Sequence, residues 1–184
     1  MNDHHLILGQ LEDVLTGRII DDTHDERYRQ KIARLLLESK GYDRSEIQSE
    51  QPVQVTAGGK SALVPVTFIV QWDEHIVMVV QYGPGSLITR HRPALALAKL
   101  VASYQIPVVV VTNGEEADIL DGATGRLTAS GLDQVPSKAM LVERLEHHLW
   151  APVSNLHAQM AARIVMAFEV DDRCPCDDTI CRLD

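Results

Sequence analysis

Between Ile76 and Gly114 the chain carries no aspartate or glutamate, and none lies between Lys60 and Gln71. Both stretches read as core elements of an α/β protein, so these segments offer no carboxylate for holding a divalent cation or for acid–base chemistry. Long apolar runs are missing too: nothing approaches the ~20 residues that cross a bilayer. The start, MNDHHLILGQLED, has no basic leader region and no long apolar core. Neither a membrane partner nor a secretory signal is expected, and the expected location is the cytoplasm. Positive charge is short, with Lys+Arg 17 against Asp+Glu 26, a net charge of −9 and a pI near 5.3. Binding nucleic acid through bulk electrostatics is thereby excluded, because counterion release needs clustered lysine and arginine. Any such contact is local, and outside helical faces the dense basic cluster is Arg90, His91 and Arg92. Cysteine is confined to Cys174, Cys176 and Cys181 in the tail RCPCDDTICRLD. No staple is required, since a chain of 184 residues has room for one domain burying roughly 70% of its unfolded surface. Internal repeats and low-complexity linkers are absent.

What is present is a regular succession of elements. Leu6, Leu8, Leu11, Val14 and Leu15 have helical spacing up to Gly17, which predicts a short helix over 5–15. Thr23-His24-Asp25-Glu26 fits a capping box, and Tyr28, Ile32, Leu35 and Leu36 give the helix behind it an apolar face that ends at Gly41. Strands follow at 53–56, 62–72 and 75–82, separated by Gly58-Gly59 and Asp73-Glu74, an antiparallel meander. Pro93 is placed to open a helix whose stripe is Leu95, Leu97, Ala98, Leu100 and Val101. The four valines of 108–111 form a strand buried on both faces. A pair of short strands around 117–120 and 126–129 comes next, then helices over 137–149 and 153–168.

Helix, three strands, helix, strand is the order of a restriction-endonuclease-like core. THDERYRQKIARLLLESKGY at 23–42, the segment 47–55 with Glu50, the strand 60–70 and IPVVVVTNGEEADILD at 106–121 together resemble the N-terminal nuclease domain of type I restriction enzyme R subunits. The resemblance spans roughly 5–145. It implies an α/β, PD-(D/E)XK-type fold with a mixed central sheet of about five strands flanked by helices, plus extra C-terminal helices. The expected organisation is an N-terminal helix and linker (1–22), the nuclease-like domain (23–149), and a C-terminal helix with the cysteine tail (150–184).

The resemblance also implies a site: an aspartate on the middle strand and a Glu-x-Lys on the next, the carboxylates holding Mg²⁺ against the scissile phosphate. In this chain those positions carry Thr67, Gln81 and Gly83. Neutral oxygens bind Mg²⁺ poorly and glycine has no side chain, so the expected protein is a pseudo-nuclease that binds or regulates. Glu26, Glu50 and Lys99 are possible remnants of a rearranged site, which is the alternative: a Mg²⁺-dependent endonuclease. Their plainer roles are a helix cap, a strand-edge charge and a solvated helix residue.

QYGPGSLITRHR offers a different chemistry. Gly83 and Gly85 allow backbone amides to approach an anion, Tyr82, Ser86 and Thr89 supply hydroxyls, and Arg90 and Arg92 supply charge. The expected partner is an anionic ligand or a protein, and the alternative is a turn leading into a helix. Neither a Walker ending nor a dinucleotide spacing is present. Cys174, Cys176 and Cys181 make soft thiolate ligands for zinc or an iron-sulfur centre, though the Cys-x-Cys spacing is tight and a fourth ligand is missing locally; a reduced or redox-active tail is the alternative.

Overall fold

The computed structural model describes residues 6–146, 148–171 and, as backbone, 181–183. Thirteen elements matter for the site. A hairpin pairs β1 (Gly9–Glu12) with β2 (Ile19–Asp22), and α1 (His24–Arg34) follows, continued by a π-helical turn over Leu35–Ser39. Three long strands, β3 (Ile47–Ala57), β4 (Lys60–Trp72) and β5 (His75–Tyr82), form the antiparallel meander. Next come α2 (Leu87–Val101), β6 (Val108–Thr112), β7 (Ala117–Asp121) and β8 (Leu127–Ser130). α3 (Lys138–Leu145), α4 (Asn155–Val165) and β9 (Cys181–Leu183) complete the set.

The main sheet has seven strands in the order β3-β4-β5-β6-β7-β8, with β9 on the free part of β4. It is mixed because β5 and β6 run parallel, joined by α2 as a crossover, while the other neighbours are antiparallel. Helices cover both faces. α2 and α4 bury Leu97, Ala161 and Val165 against Val64, Val79 and Val109 on one side. The π-helical turn after α1 buries Leu36, and α3 buries Leu141, against Val70, Met78 and Val110 on the other. Burial on both faces explains the unbroken apolar runs of β5 and β6, where each fully buried valine or leucine stabilises the fold by about 1.5–3 kcal/mol. Both meander turns need two residues of positive φ, a requirement met by Gly58 and Gly59 (60° and 78°) and by Asp73 and Glu74 (47° and 65°).

Two expectations are corrected. The N-terminal helix over 5–15 is instead the hairpin, with Leu11 opposite Ile20; Leu6, Ile7 and Leu8 are exposed, so their spacing does not record a buried helical face. α2 begins at Leu87, placing Pro93 inside it. Proline there removes the bond to the carbonyl of Thr89, a residue exposed to solvent that can hydrate the freed oxygen. α4 packs on the main core, with Ala161, Ala162 and Val165 in the same cluster as α2. Among the described residues no helix is long and apolar enough to cross a membrane.

Candidate functional site

Glu26, Glu50 and Thr67 come from α1, β3 and β4, and the fold brings them to one cavity of about 250 Å³. α1 also contributes Arg29 and Gln30, the hairpin contributes Asp13 and Asp21, and β3 adds Ser49. The cavity sits where the sheet is locally pried open. β3 pairs with β4 at Ser49↔Phe68 and Gln51↔Val66, skipping Glu50, whose φ of 51° is in the left-handed region. The β4–β5 ladder stops at Phe68↔Val80. Beyond it side chains take over: Thr67 N–H donates to Gln81 Oε1 at 3.2 Å, and Tyr82 N–H donates to Thr67 Oγ1 at 3.0 Å.

Glu26, Glu50 and Asp13 are engaged within the chain. Thr23 Oγ1 accepts from the Glu26 amide at 3.1 Å, as a helix cap should. The Glu26 carboxylate, however, does not return to Thr23; it turns inward, where Arg29 Nη2 and Gln30 Nε2 (2.8 Å) each donate to one oxygen. Arg29 Nη1 donates to Glu50, so a single guanidinium joins both acids. Gln30 carries the network to the hairpin, donating to Asp13 at 3.2 Å and accepting from Val14 N–H at 2.8 Å. Burial pushes the Asp13 carboxyl up, but bonds from the Leu15 amide, the Thr16 hydroxyl, Gln30 and the Thr16 amide outweigh it and hold the group below the usual carboxylate range.

Mg²⁺ needs near-octahedral oxygens with several carboxylate or water ligands. This set does not fit it. The Thr67 hydroxyl and the Gln81 carbonyl close the sheet, and both Glu26 oxygens are already bonded. Among the described residues no group of three or more His, Cys, Asp or Glu is disposed to hold a metal ion. Lys99 lies twelve residues after the first residue of α2, about 18 Å along its axis, and does not line the cavity.

The glycine segment is more ordered than an open cradle. Ser86 caps α2 without a side-chain bond, and Thr89, Arg90 and Arg92 lie in the helix itself, leaving Gly83 to Ser86 as the loop. The Gly83 amide is bonded to Thr112 O at 3.0 Å. A Cβ at Gly83 would overlap the Arg90 guanidinium, which folds back to donate to Pro84 O from Nε (3.1 Å) and Nη2 (2.9 Å). The side chain of Arg90 thus fills the space that residue 83 leaves empty. Thr89 Oγ1 donates to Ser86 O at 2.9 Å, Gly85 has a φ of 91°, and Arg92 is exposed. Tyr82 stacks on Tyr28 at 6.0 Å between ring centroids and donates from its hydroxyl to Asp25 at 2.8 Å. Burial, then the Asp25 hydrogen bond, push the Tyr82 phenol upward, so it remains a donor.

Sequence reasoning missed Arg29, Gln30, Asp13, Asp21 and Ser49. Glu26-x-x-Arg29-Gln30 has the i, i+3 and i, i+4 spacing that places both partners beside Glu26, a signal available in the sequence. Asp13 and Asp21 had no such signal, because only the hairpin brings them in. Cys174 and Cys176 lie outside the described residues, and Cys181 is described only as a backbone position opposite Leu63. The sequence model of the family described as "Type I restriction enzyme R protein N terminus (HSDR_N)" matches residues 24–136. Comparisons with curated proteins and with solved structures returned no match.

Proposed function

The chain belongs to the type I restriction enzyme R protein N-terminal family, and from that premise we propose that it is a binding or regulatory module on a restriction-endonuclease-like scaffold, without phosphodiester cleavage of its own. One observation carries the reading. The side chains at positions 67 and 81, where the resemblance expects metal ligands, serve internal bonds, Thr67 and Gln81 bridging β4 to β5, and the nearby acids Glu26 and Glu50 share Arg29. Gly83 offers no lysine, and its space is taken by Arg90.

The ligand in this reading is an anionic group, free or carried by a protein, meeting the segment from Tyr82 to Arg92. Support comes from the lack of acids between Ile76 and Gly114, the exposed Arg92, and the Ser86 hydroxyl that makes no capping bond. First-turn amides of α2 point the same way, since a helix N-terminus attracts negative charge. Net charge of −9 restricts any nucleic-acid contact to this strip.

A second reading, a metal-dependent endonuclease with a rearranged site, draws on the convergence of Glu26 and Glu50 on one cavity. Incubating supercoiled plasmid with the protein and Mn²⁺, beside Glu50→Ala, separates the two. The binding reading expects no cleavage by either, and cleavage that disappears in Glu50→Ala would sink it. Titration with pyrophosphate, followed by amide chemical shifts, should perturb Ser86 to Arg92 and be weakened at least tenfold in the Arg90→Ala, Arg92→Ala double variant.

A further inference from the structure

We infer that the Arg29 guanidinium is the resident cation of this cavity, bridging Glu26 and Glu50 as a divalent ion would and making the surrounding fold independent of metal. The inference rests on the reading of the cavity as a non-catalytic form of the family's site, but it concerns what holds the cavity together rather than what the loop binds.

Two acids from elements far apart in sequence face each other here, and the cavity wall also carries Asp13 and Asp21. Like charges gathered around one space repel, and the cost falls mainly on Glu26, which is buried while Glu50 and Asp21 are exposed. Arg29 is the cation among the lining residues, and its two terminal nitrogens reach different carboxylates. A guanidinium suits this role, since it is planar, presents a fixed fork, and stays charged at every pH the fold survives. A lysine would present a single point charge in place of the fork. Arg29 Nε is buried with no hydrogen-bond partner among the described residues. Among the described residues the guanidinium therefore hydrogen-bonds to its two carboxylates and to no third group.

The backbone gives an independent indication. Glu50 is a non-glycine residue with φ of 51°, set in a strand and skipped by the ladder on β4. Such a conformation persists only where its surroundings over-determine it. The bond from Arg29 is what aims Glu50 at α1. Gln30, bonded to both Glu26 and Asp13, extends the same tie to the hairpin. One guanidinium thereby links α1 directly to β3 and, through Glu26 and Gln30, to β1–β2.

The test is thermal melting of the wild type, Arg29→Lys and Arg29→Met, each in EDTA and in millimolar Mn²⁺. The wild type should melt at the same temperature in both. Arg29→Met should melt about 4–8 °C lower in EDTA, the size expected for a partly buried pair left unmatched in a chain this long, and Mn²⁺ should recover part of that loss. Arg29→Lys should fall between them. If Arg29→Met does not fold, the combination Arg29→Met, Glu26→Gln, Glu50→Gln should fold, because the repelling charges go together with their cation. A wild type stabilised by Mn²⁺, an Arg29→Met that melts like the wild type, or a triple variant no more stable than Arg29→Met would overturn the inference. None of these readouts uses cleavage or anion binding, so the inference and the functional reading fail separately.

Discussion

Replacing Thr67 by valine tests whether this position has passed from metal chemistry to sheet closure. The hydroxyl accepts from the Tyr82 amide at 3.0 Å, at the point where the β4–β5 ladder has ended. Valine has nearly the same shape, so no sizeable void opens, but the amide loses its acceptor. A part-buried donor left without a partner costs about 1–3 kcal/mol, and the added apolar burial of the methyl offsets some of it. A net loss of about 1–2 kcal/mol follows, and with a urea m-value of about 2 kcal/mol/M the unfolding midpoint should fall by about 0.5–1 M. The slope itself should not change. Thr67→Ser keeps the oxygen and should stay within about 0.5 kcal/mol of the wild type, while hydrogen exchange of the Tyr82 amide should accelerate only in Thr67→Val. A valine variant as stable as the wild type would refute the reasoning. So would a serine variant as weak as the valine one, because the loss would then lie in packing and not in the hydroxyl.

Gly114→Ala should destabilise the protein by about 2–4 kcal/mol in a thermal melt, since φ there is 87° and a Cβ would overlap the Tyr28 ring that stacks on Tyr82; an unchanged melt would mean that Tyr28 moves aside freely. Acid should weaken the fold through Asp13 and Asp121, in both of which burial raises the carboxyl and hydrogen bonds lower it further, with Arg144 helping at Asp121. A carboxyl whose folded pKa lies below its unfolded value of about 3.9 contributes stability that is complete above that value and is lost as pH falls through the folded one. Stability measured from pH 6 down to 2 should therefore drop below about pH 4, less steeply in Asp13→Asn; an identical slope in that variant would remove Asp13 from the account.

The centre of the fold is legible in the sequence because its signals are local. Gly58-Gly59 and Asp73-Glu74 mark turns, and the valines of β6 can only be a strand covered on both sides. The hairpin is not legible that way: Leu6 and Leu8 mimic a helical stripe while remaining exposed. Pro93 misleads for a physical reason, since a helix whose buried face includes Leu87, Ala94 and Leu97 tolerates an internal proline when the freed carbonyl faces water. At the cavity, Glu26 beside Arg29 and Gln30 is readable from spacing along one helix. Arg90 over Gly83 and Asp13 beside Gln30 are not, because those contacts are made only by tertiary structure.

The main sheet runs in chain order from β3 to β8, and among the described strands only β9 on β4 joins distant parts of the sequence. Each strand from β4 to β8 therefore finds its preceding neighbour by closing a short loop or one helical crossover, at low entropic expense. The residues that direct those closures, the Gly58-Gly59 and Asp73-Glu74 turns and the valines of β6, do not line the Glu26–Glu50 cavity. Assembly instructions and cavity chemistry are thus written in separate parts of the text, which lets such a scaffold be inherited whole while the wording of its cavity changes.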